Sequence, residues 1–537
     1  MSLTINSMKN YWSEKKSKQF LVFLSFISLV GMSMAIYITY PYGAGVSGDA
    51  ARNLSVAHSL LKGNGFFDLF GKPLVYWPPL YSILLAGLGV ITHEDVFIGG
   101  WYLNVALYGL NIFFSGVLLY RIFRTRLLYA VIGSLLTLLS ISSFRIHVNI
   151  ASDPLYIAFS LLFLIATCQY ADTRSSNSLL AMVIFSALAT LQRYVGITLI
   201  VVGVSLIARQ NWGNWRKTFL DSLKFSILSS LPIAAWIFWH NYLKYGAIAG
   251  NPYNTFLPSE NVRASLIKII RWFIPFQLLP DFLVTYPWVL LIGLVLVLLL
   301  INKIKDWKTW WDAIYSPYIL PIIMYFIVSF IGLTYTVATF DHKDIESDRY
   351  YITILLPVLI MIFITWEQLI FPHIKLKPQV VDKILFVLFM IWSIYPLHGF
   401  QEFISESRQI NGVTSYNTIN SHDLRNSETL KQLNSLLSKD DTVALYSNDP
   451  LSVWFYTHHD AFLLPKLHKE TTPNDAEAKK LASWPPQAGY VIWIKPDTFK
   501  ETSTPDELSQ IAKLELLYTN PDGEIYFIRA NNGEGMP

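Results

Sequence analysis

One cysteine, Cys168, in 537 residues excludes an intrachain disulfide and any multi-cysteine zinc or iron–sulfur centre. It lies in an apolar run and reads as a packed helix residue. Charge is scarce as well: 15% of residues are charged against 53% hydrophobic, and mean hydropathy is +0.39. A soluble chain of this length needs more charge to cover its surface. The net charge of +4, with no basic block beyond Lys15-Lys16-Ser17-Lys18, argues against nucleic acid as a partner. No fixed-period repeat and no low-complexity tract is present. What the chain does have is long apolar runs. From Lys18 to Asp49 no acid or base occurs apart from tyrosines, which is enough to cross a hydrocarbon core. No small-x-small site ends that run, so it reads as a retained first span rather than a cleaved signal.

Windows of roughly 20 apolar residues predict about eleven spans, near 21–40, 97–120, 127–144, 154–171, 178–192, 194–208, 218–239, 283–302, 317–338, 351–370 and 384–399. Cationic connectors recur at every second turn: Arg121, Arg124 and Arg126; Arg174; Arg209, Arg216 and Lys217; Lys303, Lys305 and Lys308; Lys375, Lys377 and Lys383. With the N-terminal lysines they define the cytoplasmic face. Residues 178–208 could be read as one long helix around Arg193, but that would move the later lysine-rich connectors outside. Two short spans with Arg193 at an external tip agree with the charge bias.

Three longer external segments follow from this topology: the first loop 41–96, a second at 240–282, and the tail from about 400. Pro252, Pro258, Pro275 and Pro280 are expected to break any long helix in the second. The tail has strand-like runs at Val443–Ser447 and Tyr490–Ile494, and helical spacing at Glu428–Leu437 and Glu507–Leu514. Leu516–Tyr518 and Glu524–Ile528 flank Asn520-Pro521-Asp522-Gly523, a hairpin signal. The expected division is a membrane domain over 1–400 and a small α/β domain over 401–537.

The first loop carries Gly48-Asp49-Ala50-Ala51-Arg52-Asn53 directly after the first span. A helix striped by Leu54, Ala57, His58 and Leu61 follows, expected to lie in the membrane interface and to end at Gly63-Asn64-Gly65. Tyr76-Trp77-Pro78-Pro79-Leu80-Tyr81 then leads into a second juxtamembrane helix over Ser82–Ile91. A second acid, Asp153, opens the fourth span in Ser152-Asp153-Pro154. Each acid alone reads as a helix N-cap. Two carboxylates on one membrane face also suit base catalysis or metal binding. External tips add Arg193-Tyr194 and Asp348-Arg349-Tyr350-Tyr351. Arginine offers a planar fork for phosphate, and tyrosine a stacking and hydrogen-bonding face. Snorkelling to the interface is the ordinary alternative for each arginine.

In this order, the first-loop acid, the helix ending in Gly-x-Gly, Trp-Pro-Pro-Leu-Tyr, Ser-Asp-Pro-Leu, Arg-Tyr-Val-Gly and Asp-Arg-Tyr resemble the GT-C membrane glycosyltransferases. The likeness is to the branch of protein O-mannosyltransferases and aminoarabinose-transferase-like proteins, which includes lipopolysaccharide-core sugar transferases. It covers roughly residues 20–370. It implies a polyprenyl-phosphate-sugar donor and an inverting transfer to a lipid, polysaccharide or protein acceptor. The reaction would take place outside the cytoplasmic membrane, with the N-terminus cytoplasmic and the tail extracytoplasmic. Asp49 matches the acid expected to act as general base, and Asp153 the acid that orients the acceptor or helps hold a divalent cation. Arg193, Arg349 and Tyr350 are expected at the leaving phosphate, with Trp77 and Tyr81 at the sugar or lipid entrance. Two places depart from the pattern. Ala50 stands where the family often has a second acid, which weakens the case for a metal held by Asp49 and Asp153. Tyr76-Trp77 replace a Glu-Lys pair, leaving Lys72 as the nearby lysine for phosphate.

A transporter or lipid flippase is the alternative from another class. Against it, the polar candidates lie in loops on one face, and hydropathy shows no inverted repeat. A scaffold whose tail binds partners is a third reading. His458 and His459 in that tail lack the further ligand spacing a metal site needs.

Overall fold

The computed structural model describes residues 14–93, 95–124, 126–249, 258–275, 280–340, 349–414, 419–440, 442–466, 484–495 and 502–530. Asp348 and Pro252 lie outside these residues. The chain divides into two compact units: Met1–Ile38, Val75–Tyr81 and Gly100–Ser405 form one, and Thr39–Leu74, Ser82–Gly99 and Glu406–Pro537 the other. Neither is continuous in sequence, and most of the first loop groups with the tail.

The first unit is helical. In chain order its leading helices are α1 (Glu14–Thr39), α4 (Val96–Ile122), α5 (Leu127–Leu138), α6 (Ile141–His147), α7 (Asp153–Thr173), α8 (Ser176–Gln192), α9 (Ile197–Gln210) and α10 (Trp215–Ala235); α2 (Gly48–Leu61) and α3 (Leu80–Ile91) fall between the first two. Six stretches among the described residues are long and apolar enough to cross a membrane: Ser17–Thr39, Val96–Ile122, Asp153–Thr173, Trp215–Tyr245, Tyr351–His373 and Pro378–Gln409. α5 and α6, bent by 53°, count as a seventh if taken as one broken span. The other predicted spans fall on shorter apolar helices, Ser176–Gln192, Tyr194–Gln210, Pro287–Ile301 and Leu320–Tyr335. On Pro287–Ile301, Leu294, Leu296, Val297 and Leu300 all face outward, which suits lipid and not water. The chain is a multi-pass α-helical membrane protein.

Lipid gives helices no hydrophobic reason to associate, so close packing must do it. α1 and α4 meet through glycines: a Cβ on Gly109 would sit 2.6 Å from Met32 Cγ, and one on Gly116 would overlap Leu24. The cationic connectors gather at one end of this unit. Arg124 pairs with Asp172 at 2.9 Å, Arg126 with Asp382 at 2.9 Å and with Glu367 at 3.4 Å, and Arg209 Nε donates to the Tyr315 carbonyl at 3.1 Å. Residues 178–208 do break at Arg193, whose backbone is extended (φ −150°, ψ 139°) between α8 and α9. In the segment 240–282, Pro258 begins the short helix Pro258–Arg271, since proline is tolerated in a first helical turn.

The second unit carries α2 and a five-stranded mixed sheet. Its strands are β1 (Ala444–Ser447), β2 (Ala461–Leu463), β3 (Gly489–Ile494), β4 (Leu514–Asn520) and β5 (Gly523–Ile528), in the order β2-β1-β3-β5-β4. The first three are parallel; β3–β5 and β5–β4 are antiparallel. The predicted hairpin is present, with Asn520 paired to Gly523. The helix Glu428–Leu437 lies where its spacing placed it, burying Leu430, Leu433 and Leu437 against Leu445 and Ile492 of the sheet. Tyr446, Val491, Trp493 and Ile528 form a core on the other face with Leu508. The helix expected over Glu507–Leu514 is corrected: helix covers Pro505–Leu508, and Leu514 already belongs to β4. The strand hydrogen bonds to β5 hold Leu514 in place of a further helical turn.

Candidate active site

Asp153 is the first residue of α7, yet it does not cap it: Ser152 holds the N-cap position, and no side-chain capping bond forms. At 2% exposure its carboxylate needs partners, because an unpaired buried charge is costly. It has two. Arg193 pairs with Oδ1, and Arg349 Nε lies 3.6 Å from Oδ2. Both guanidiniums also approach the Tyr350 ring, 5.7 Å from Arg193 and 4.9 Å from Arg349, and Arg349 donates to the Tyr350 hydroxyl at 3.4 Å. Two guanidiniums thus converge on one carboxylate. The helix N-terminus adds to the stabilisation of the carboxylate.

Arg193 reaches this place because α8 stops one residue earlier and the chain turns back through Tyr194–Gly196. Gly196 makes the turn possible: a Cβ there would run into the backbone of Ala189 and Thr190. Gln192 Nε2 donates to the Ser152 carbonyl at 2.8 Å and so fixes the end of α8 to the start of α7. The Tyr194 hydroxyl donates to the Val75 carbonyl at 3.1 Å and accepts from Asn241 Nδ2 at 3.1 Å. Asn241 sits fully buried in the π-helical turn Trp236–Tyr242, where His240 stacks on Trp236 at 3.9 Å. π-helical turns recur at functional sites. Sequence reasoning singled out Arg193, Arg349 and Tyr350, which do come together with Asp153. It missed Gln192 and Asn241, since a polar residue at the end of an apolar run carries no signal of its own.

The Val75–Tyr81 segment belongs to the same unit. Trp77 is half-buried. Tyr81 is buried, and that burial, with the negative charge of Asp153, pushes its phenol pKa up. Nearby, Lys268 is 4% exposed and lies 5.4 Å from the Tyr351 ring.

Asp49 belongs to the second unit. It occupies the first turn of α2, half-buried, and Ser47 supplies the cap by accepting the Ala50 N–H at 3.3 Å. The N-cap reading thus fails for both acids. α2 is covered by protein on more than one face: Ala50, Ala51, Asn53, Leu54, Ser55 and Ala57 are all buried, which corrects the picture of a helix with one face in lipid. Part of the cover is the helix Pro450–Thr457, with His58 stacked on His458 at 5.2 Å. Asn53 donates to the Asp49 carbonyl at 2.8 Å and accepts from Ser82 at 3.3 Å, fixing the first turn. Arg52 pairs with Asp68 at 2.9 Å, and Asp68 Oδ1 accepts the N–H of Lys72 at 3.0 Å. The Lys72 side chain is exposed.

The surroundings of Asp153 do not fit a divalent cation. Both carboxylate oxygens face guanidiniums, whose charge repels a metal, and among the described residues no three His, Cys, Asp or Glu side chains come together.

The helical membrane unit, the helical first loop and the small α/β tail are those of the GT-C fold. Solved structures bear this out. ArnT from Cupriavidus metallidurans in the apo state matches with a TM-score of 0.56 at 12% identity, over 95% of this chain and 98% of that one. The same protein bound to undecaprenyl phosphate gives 0.53 at 12% identity, over 98% and 100%. The oligosaccharyltransferase AglB from Archaeoglobus fulgidus, in complex with an inhibitory peptide and a dolichol-phosphate, gives 0.57 at 11% identity, over 98% of this chain and 75% of that one. At these identities the likeness is one of fold. No protein-family profile matches the chain, and no curated protein sequence matches it.

Proposed function

We propose that this chain transfers a sugar from a polyprenyl-phosphate donor to an acceptor hydroxyl, with inversion, on the outer face of the cytoplasmic membrane. The observation that supports the reading is the buried Asp153–Arg193–Arg349 cluster beside Tyr350, two guanidinium forks in a helical unit whose fold relatives were solved with lipid phosphates bound. Asp49 takes the proton of the acceptor hydroxyl. The freed oxygen attacks the anomeric carbon, whose bond to the phosphate oxygen breaks, and that electron pair leaves on the lipid phosphate. Arg193 and Arg349 bind this phosphate and stabilise the charge developing on it. Asp153 is a positioning residue that sets both forks, and Tyr350 supports their planes. Trp77 and Tyr81 line the approach for sugar or lipid, and Lys72, exposed on the first loop, is a further lysine for phosphate. A divalent cation, if the reaction uses one, would sit at Asp49 with substrate oxygens and not at Asp153. Eleven crossings, with the cationic connectors in the cytoplasm, would put the N-terminus in the cytoplasm, and the catalytic residues and the 401–537 domain outside. An extracytoplasmic fusion reporter at the C-terminus is the expected result; a cytoplasmic one overturns this topology.

The test of the chemistry compares wild type and Asp49→Asn in membranes given a radiolabelled polyprenyl-phosphate sugar. Loss of a general base lowers transfer by about 10²–10⁴-fold. Equal transfer at equal expression removes Asp49 from the mechanism.

A further inference from the structure

A cavity of about 400 Å³ lies in the first unit, where α5 gives way to α6. The 53° bend creates it: Ser140 accepts the Ser143 N–H at 3.3 Å and restarts the helix in a new direction, leaving space beside the old one. The facing wall is held by hydrogen bonds. Trp392 Nε1 donates to the Phe273 carbonyl at 2.7 Å, and the Tyr395 hydroxyl to the Arg271 carbonyl at 3.0 Å. The cavity is thus formed before any ligand arrives.

Its lining has two characters. Leu139, Leu355 and Leu359 make an apolar side; Arg145, Arg271 and Glu402 make a charged one. Arg145 is the group that asks for a ligand. Its Nε is buried without a hydrogen-bond partner, its guanidinium rests 5.6 Å from the Phe403 ring, and it joins no ion pair among the described residues. Glu402 is exposed, with His398 Nδ1 3.5 Å from its Oε1. A half-buried guanidinium beside an apolar wall is satisfied by an anion that brings its own hydrocarbon.

We propose that this cavity binds the phosphate head of a membrane lipid, with Arg145 as the main anchor and the chain laid along Leu139, Leu355 and Leu359. The buried, unpartnered Nε of Arg145 supplies the cationic donor that a phosphate head requires. A free phosphate ion would satisfy Arg145 but leave the leucine wall uncovered, whereas a neutral lipid would do the reverse. The site is distinct from the Arg193–Arg349 pair. Trp272 lines the cavity and also packs against the cluster of Tyr350 and Tyr351, so the two positions share a wall. The protein would then hold two lipids side by side. This inference concerns binding and does not rest on the transfer reaction.

The test uses the full chain, purified and delipidated in detergent, carrying Arg349→Gln to weaken the first site, and reads lipid binding by native mass spectrometry. Ligands are a short-chain polyprenyl monophosphate, phosphatidylglycerol, diacylglycerol and inorganic phosphate. One phosphate-bearing lipid is expected to bind, with diacylglycerol and inorganic phosphate much weaker. Arg145→Gln should weaken that lipid by about tenfold or more, the loss of a charge-assisted bond. Arg145→Lys should restore part of it, and Leu359→Trp, which fills the cavity without touching the charge, should abolish it. Preference for the polyprenyl phosphate assigns the cavity to the donor class of lipid; preference for phosphatidylglycerol assigns it to a bilayer lipid; either supports a phosphate-lipid site. Unchanged binding in both Arg145→Gln and Leu359→Trp overturns the proposal, as does diacylglycerol binding as tightly as the phosphate lipids. If Arg145→Gln does not fold, Leu359→Trp decides. Failure of sugar transfer in the wild type would leave these results standing.

Discussion

Asp153 holds two guanidiniums at once. Its two oxygens hold Arg193 and Arg349 against the Tyr350 ring, and this fixes the plane of each fork. Asp153→Asn separates two roles. If the acid merely balanced charge, its neutralisation would leave the arginines freer to bind the donor, and the donor KM would fall with kcat unchanged. As a positioning residue, its loss lowers kcat by roughly 10²-fold with no fall in KM, the cost of an ångström-scale misplacement. Steady-state kinetics over donor concentration decide it. Arg349→Lys keeps the charge but loses the planar fork, so a raised donor KM is expected. The motif letters marked these arginines because arginine is rare in so apolar a chain. Gln192 and Asn241, equally buried, left no such mark: an amide costs little in composition, and its role exists only once α7, α8 and the Trp236–Tyr242 turn are assembled.

At the scale of elements, the turn between α8 and α9 decides whether Arg193 reaches Asp153 at all. Gly196→Ala places a methyl group against the Ala189 carbonyl; about 1–3 kcal/mol of destabilisation is expected, read as a lower midpoint of thermal unfolding. The β4–β5 turn offers a second element-level test. Asp522 accepts from the Ser427 hydroxyl at 2.6 Å and from the Thr429 hydroxyl at 2.9 Å. Partial burial works against its charge, but these bonds win and hold its pKa below the ordinary aspartate value. A depressed folded-state pKa gives stability that is complete above the unfolded value and lost as pH falls through the folded one. Hydrogen exchange at Thr429 and Leu430 should therefore accelerate below the ordinary carboxylate range, and Asp522→Ala should remove that pH dependence. The hairpin itself was legible because Pro521-Asp522-Gly523 has turn chemistry between two apolar runs. β2 and the helix Pro450–Thr457 were not. A three-residue strand is too short for a period, and Asp449-Pro450 reads equally as a turn and as a helix start.

Over the whole molecule, the spans were legible because lipid demands about 20 apolar residues in a row, a constraint written into composition before any packing occurs. The grouping of units was not, because it depends on contacts far apart in sequence. Asn420 donates to the Tyr42 and Ala44 carbonyls at 2.8 Å, and Ile419 N–H to the Val46 carbonyl at 3.1 Å, so the first loop carrying Asp49 is built together with the tail. Loss of these bonds in Asn420→Ala is expected to lower transfer through α2 and Asp49, with binding of polyprenyl phosphate unchanged. The central claim is that the chain moves a sugar from lipid phosphate to a hydroxyl. Its most direct test reconstitutes the purified protein in liposomes with a polyprenyl-phosphate donor labelled in the sugar, plus an extract of envelope lipids and polysaccharides. Label is expected to leave the donor, with free polyprenyl phosphate appearing in equal amount, and both are expected to vanish in Asp49→Asn. Labelled donor that crosses the bilayer intact, with no sugar transferred, would contradict it.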